Sequence, residues 1–153
     1  MINEFTEDRQ YDKIIRQSIE QHNKYQITVN DDEYTLMFIH LIRDADKLDI
    51  FRVKNEKSPD LFKSMEKDTI SLPVYEQFLQ EQTIYNPLKK TSLDTWIAAI
   101  ALVFDLHYKE SLFYIKEHQI TDQLFNHVQP ADPLTALQYQ KLRECMKNFL
   151  KRN

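Results

Sequence analysis

Residues 31–53 read DDEYTLMFIHLIRDADKLDIFRV. Apolar residues recur there every three or four positions, the spacing of one helix, starting near Asp31 or Asp32 and ending at about Val53. Met37, Leu41, Ala45 and Leu48 form one apolar row, and Ile39, Ile42, Ile50 and Val53 form another. A helix apolar on two sides is expected near the centre of a core. The rest of the chain reads the same way. Thr6 is a candidate N-cap for a helix carrying Tyr11, Ile14, Ile15 and Ile19 and ending near His22 or Asn23. Ser58-Pro59 and Leu72-Pro73 open two further helices, the second running to about Gln82. Thr91 or Ser92 caps an apolar helix from Leu93 to Asp105, which should be buried. Helices over Tyr108–His118 and Thr121–His127 follow, and Asp132-Pro133 starts a last one with Leu134, Leu137, Leu142, Met146, Phe149 and Leu150.

Composition agrees with an all-α fold. The 153 residues contain no glycine, where ordinary usage would give about 11. Phosphate-binding loops, dinucleotide fingerprints and nucleophile elbows need glycine for positive φ or close backbone approach, so none of the usual kind exists here. Primed hairpin turns are also hard to build without it. The expected fold is all-α, six to eight helices in a single unit over residues 1–153, with no internal repeat or linker. Apolar residues make up 42% and charged residues 29%, and the net charge is −4. That balance offers no basic surface for nucleic acid or an anionic membrane. The lone Cys145 cannot build a disulfide framework, which suits a reducing cytoplasm, and reads as a small core residue. The apolar run Trp96–Phe104 is too short to span a bilayer.

Chemistry concentrates in Arg43-Asp44-Ala45-Asp46-Lys47-Leu48-Asp49. At ~100° per residue Asp46 falls on the row of Ile39, Ile42 and Ile50, Asp49 about 60° away, and Asp44 on the far side. A carboxylate on an apolar row must be paired, with Arg43 or another helix's cation, or must bind a metal. His40 and Asp44, four apart, read as a surface hydrogen-bonded pair, and His22 as a helix-end histidine. Trp96, Phe104, Tyr108, Phe113 and Tyr114 read as core or interface packing, and His118 and His127 as caps or surface residues. Ser111 has no visible catalytic partners.

The run Asp-Ala-Asp-Lys-Leu-Asp at 44–49 resembles the last motif of the HD-domain metal-dependent phosphohydrolases. With His22-Asn23-Lys24-Tyr25 before it, and Phe104-Asp105-Leu106 and Ser111-Leu112 after it, the chain is similar to a subgroup of bacterial HD proteins over roughly residues 10–125. The resemblance implies hydrolysis of a phosphate ester or nucleotide by metal-bound water. It makes Asp46 a ligand to a divalent ion (Mn, Fe, Ni or Mg), places Lys47 near substrate phosphate, and has His22 assisting. The family's upstream His and His-Asp motifs are missing: His22, His40, His107, His118 and His127 are none of them followed by Asp. The chain therefore resembles the C-terminal part of the family's fold. It is expected to be inactive or incomplete alone, with a partner chain or second copy supplying helices against an apolar face around Ile39, Ile42 and Ile50. The alternative is a non-catalytic helical binding or scaffold module. A site rebuilt from His22, His40 and Asp46 is disfavoured, because His40 and Asp46 point about 120° apart on one helix.

Overall fold

The computed structural model describes residues 9–28, 32–56 and 59–153. Eight α-helices follow one another, with no strand among the described residues: α1 (Asp12–Gln21), α2 (Glu33–Asn55), α3 (Pro59–Met65), α4 (Leu72–Leu79), α5 (Ser92–Ile100), α6 (Lys109–Glu117), α7 (Ile120–Asn126) and α8 (Pro133–Arg152). The all-α expectation holds. No helix among the described residues is long and apolar enough to cross a membrane. The proposed caps Thr6, Asp31 and Ser58 lie outside the described residues.

Side chains set the helix starts. Asp32 Oδ1 accepts from Thr35 N at 2.9 Å, and Asp132 Oδ2 from Thr135 N at 2.8 Å. Each thus satisfies an N–H that the first turn leaves without an intrahelical partner. At α5 the cap is Thr91, which with Asp94 forms a reciprocal capping box. The long helix expected from Leu93 to Asp105 is two segments. At Ala101 the backbone N–H reaches both Ile97 O and Ala99 O, and Ala101–Asp105 continues as a tighter 3-10 helix. Likewise α4 stops at Leu79, short of Gln82, and Glu81 turns left-handed with φ of 58°. Gln119, between α6 and α7, does the same at 50°. With no glycine available, ordinary residues take the positive-φ positions, at about 1 kcal/mol each.

The core is centred on α5, not α2. Leu93, Trp96, Ile97 and Ile100 are fully buried, packed with Phe51, Phe62, Val74, Phe78, Ile115, Leu124, Leu142 and Met146. The Trp96 ring meets Phe62 edge-on at 5.1 Å and donates from Nε1 to Leu124 O at 3.3 Å. Cys145 is half-buried against this core, its Sγ 3.8 Å from Phe78 O. Several residues expected inside are outside: Phe113 (61% exposed), Leu134 (65%) and Leu137 (56%), with Tyr114 also exposed.

Helix α2 is oriented differently from its apolar rows. Its buried stripe is Thr35, Ile39, Arg43, Lys47 and Phe51, four residues apart, with Asp44 beside it. Met37 and Leu41 face outward at 43% and 51% exposure, and Ala45 is exposed with them. Ile39 is fully buried, so the apolar face expected around Ile39, Ile42 and Ile50 does not form there. Helix α1 shows the same inversion: it buries Ser18 and Gln21 while Tyr11 and Ile19 are exposed. The Ser18 hydroxyl finds no hydrogen-bond partner among the described residues.

His127 is the C-cap of α7, as expected, and is half-buried at the edge of the core. Its ring stacks on Phe62 at 4.5 Å, and Nε2 lies 3.2 Å from Asn55 Oδ1. Burial pushes its pKa below the usual histidine value. Burial, then His107 and Arg43, push His40 the same way. A lowered folded value means the associated stability is full above the unfolded value of about 6.5 and is lost as pH falls from there through the lower folded value. The thermal midpoint should therefore drop between pH 7.5 and 5. His127→Phe, which keeps the ring and removes the titration, should show a smaller drop in melting followed by circular dichroism; an equal drop would sink this reading.

Candidate functional site

The 3-10 segment ends at Asp105, and there the buried charges of α2 converge. Arg43 and Lys47 are 5% exposed, yet both reach Asp105 Oδ2, at 2.7 and 2.8 Å. Lys47 Nζ also donates to Asp105 O at 2.9 Å. The other end of the Arg43 guanidinium donates from Nη1 to Gln21 O at 3.0 Å and Lys24 O at 2.7 Å, and more distantly to His22 O. Gln21 O and His22 O are carbonyls at the end of α1, which lack intrahelical donors, and Lys24 O belongs to the turn that follows. One side chain thus ties the end of α1 to the far side of the fold. Burial acts to raise the Asp105 pKa, but the hydrogen bonds and charges of Lys47 and Arg43 outweigh it and hold the carboxyl below its usual value.

Asp44, 2% exposed, faces away from this group. Its carboxylate accepts from His107 N at 3.0 and 3.1 Å and from Tyr108 N at 3.0 Å, so it organises the entry to α6. The expected His40–Asp44 pair is replaced by a stack of His40 on His107, ring centroids 3.8 Å apart. Asp49 sits on the exposed side of α2, bound to Arg52 at 2.8 Å.

Asp46 differs from its neighbours. It is half-buried and forms no hydrogen bond or ion pair with another described residue, so the expected pairing with Arg43 does not occur; Asp105 takes that guanidinium instead. Asp46 lines a cavity of about 260 Å³ with His22, Arg43, Lys47, Ile50 and Asp105. The α1–α2 turn (Asn23, Lys24 and Tyr25) and the Thr83–Asn86 loop form its other walls. Three residues singled out from sequence, His22, Asp46 and Lys47, therefore meet at one cavity, whereas His40 and Asp49 do not line it. His22 Nδ1 contacts Ile19 O, one turn back in its own helix.

Sequence reasoning missed Asp105, Tyr25 and Tyr85. Asp105 lies 62 residues from Arg43 and 58 from Lys47, and no local pattern marks it as their common partner. Tyr25 and Tyr85 meet edge-on at the cavity, ring centroids 5.6 Å apart; Tyr25 entered the sequence reading only as part of the resembling segment, with no role of its own.

The donor set does not fit a catalytic divalent ion. Such an ion needs several protein ligands plus water, and no group of three His, Cys, Asp or Glu side chains able to hold a metal occurs among the described residues. Asp105 is already engaged by two cations. No family model, no curated protein and no solved structure matches this chain.

Proposed function

We propose that this chain is a non-hydrolytic relative of the HD-domain phosphohydrolases that binds a small polar ligand in the cavity beside Asp46. The observation that carries the reading is the meeting of His22, Asp46 and Lys47, distant or differently directed in sequence, at one cavity. The resemblance to the family rests on the Asp-Ala-Asp-Lys-Leu-Asp run and its flanks, and it implies a phosphorylated small molecule or nucleotide. The donor set among the described residues supports the non-hydrolytic part of the reading. Lys47 and Arg43 are both committed to Asp105, and among the described residues Asp46 belongs to no group of three side chains able to hold an ion. A partner chain could supply the missing ligands, and no catalytic step is derived for this chain alone.

Calorimetric titration with Mn²⁺, beside Asp46→Ala, tests this. Weak, identical heats for both proteins are expected, with no turnover of p-nitrophenyl phosphate above the Mn²⁺ background. Tight binding lost in Asp46→Ala, accompanied by turnover, would overturn the non-hydrolytic reading and restore the enzyme.

A second reading, a scaffold module that keeps the motif for packing, is favoured by one observation: Arg43, Asp44 and Lys47 are each buried and each joined to backbone groups elsewhere in the fold. It differs in predicting no ligand at all for the cavity.

A further inference from the structure

We infer that the cavity beside Asp46 takes an organic monocation that donates hydrogen bonds, of the amidinium, guanidinium or primary ammonium class, with Asp46 as its counter-ion. The inference rests on the cavity being a ligand site, as proposed above, and puts a cation in place of the phosphorylated ligand that the resemblance implies.

Two independent features point to it. The first is the local charge balance. Around this part of α2 stand two buried cations, Arg43 and Lys47, and three carboxylates, Asp44, Asp46 and Asp105. Asp105 is held by both cations, and Asp44 by two backbone N–H groups. Of the three carboxylates, Asp46 is the one without a partner among the described residues. A half-buried unpaired carboxylate is costly, and a cation that pairs with it recovers that cost. Lys24 also borders the cavity, but its exposed ammonium reaches toward the Thr28 hydroxyl at 3.3 Å.

The second feature is a fixed aromatic wall. Tyr25 and Tyr85 are 44% and 51% exposed, and the Tyr25 side chain is held by hydrogen bonds while the Tyr85 ring rests edge-on against it at 5.6 Å. Gln77 holds the Tyr25 side chain and the Tyr85 backbone, donating from Nε2 to the Tyr25 hydroxyl at 3.2 Å and accepting Tyr85 N on Oε1 at 3.0 Å. The Tyr25 hydroxyl in turn donates to Thr83 O at 3.2 Å. Tyrosine faces attract cations through the ring quadrupole, and a wall held in place before binding loses little entropy on binding. The apolar side chains Ile50, Ile84 and Leu102 complete the lining and suit a compact hydrocarbon body. A volume of about 260 Å³ limits the guest to a small molecule.

Benzamidine is a suitable probe: its planar amidinium matches a carboxylate bidentately and its ring suits the tyrosine wall. Titration of the full chain, followed by amide chemical shifts, should displace resonances of residues around Asp46 and Tyr85. Asp46→Asn should weaken binding at least tenfold and Tyr85→Ala about threefold. Asp49→Asn, outside the cavity, should bind within twofold of the original. The neutral isostere benzamide should bind at least tenfold more weakly than benzamidine. Equal binding of benzamidine and benzamide, or undiminished binding by Asp46→Asn, would overturn the inference. Inorganic phosphate separates the two levels. Phosphate shifting the cavity amides where benzamidine does not would overturn the cation and keep the ligand site. No shift with either would overturn both.

Discussion

Asp94→Ala is expected to destabilise the fold by about 4 kcal/mol, the largest loss for any single polar side chain here. Asp94 is fully buried, and its carboxylate accepts from Ser71 N (2.9 Å), Ser71 Oγ (2.6 Å), Lys90 N (2.9 Å) and Thr91 N (3.2 Å). Truncation leaves these donors without acceptors at the start of α5, the helix on which the core is centred. Each unsatisfied buried group costs about 1–3 kcal/mol, and the capping box is lost with them. Some donors would find water, which keeps the sum near the low end. For a chain of this size the midpoint should fall by roughly 12 °C. Asp94→Asn keeps one accepting oxygen and should lose about half as much. Urea unfolding followed by helical circular dichroism measures both, and a loss below about 1 kcal/mol for the alanine variant would refute the hub.

Asp105→Ala should cost about 3 kcal/mol, because it leaves Arg43 and Lys47 buried without their shared carboxylate. Asp105 is itself 39% exposed at its side chain, so water replaces part of the interaction and the cost stays at the low end of the range for a broken buried pair. The companion variant, Lys47→Met with Asp105 retained, removes one cation and leaves a pair, and should cost less than half as much. If the two variants were equally destabilised, the carboxylate would not be serving both cations. The lowered pKa of Asp105 adds a sign: its contribution is present above the unfolded carboxylate value of about 3.9 and disappears as pH falls through the lower folded value. Asp105→Ala should accordingly flatten the acid limb of the stability profile.

Helix identity was legible in the sequence because it depends on local signals. The missing glycines, the caps at Asp32, Thr91 and Asp132 and the spacing of apolar residues all act within a few positions. The orientation of each helix was not legible. Apolar rows identified Met37 and Leu41 as core, yet α2 turns Arg43 and Lys47 inward because a carboxylate 62 and 58 residues away receives them. Charge pairing at that separation leaves no periodicity to read. The same applies to α1, whose buried Gln21 is satisfied by Thr28 N and Thr28 Oγ1 beyond the helix end. One local signal was present and overlooked: Thr91-Ser92-Leu93-Asp94 has the spacing of a capping box and marks Asp94. In the candidate site, the resemblance brought His22, Asp46 and Lys47 together, while Tyr25, Tyr85 and Asp105 belong to segments whose meeting depends on the completed fold.

The attachment of α1 has a kinetic meaning. This helix packs mainly on α2, contributes no residue to the central apolar cluster, and has its end fastened by the Arg43 guanidinium. A segment held this way opens with a smaller free energy than the core, so its amide protons should exchange with solvent long before those of α5. The turn after α1 is also a wall of the cavity, so each opening dismantles the binding surface. A guest must find the docked population, and its apparent affinity falls by the undocked fraction. A bound guest, conversely, would slow exchange throughout α1, including at amides more than two turns from the cavity.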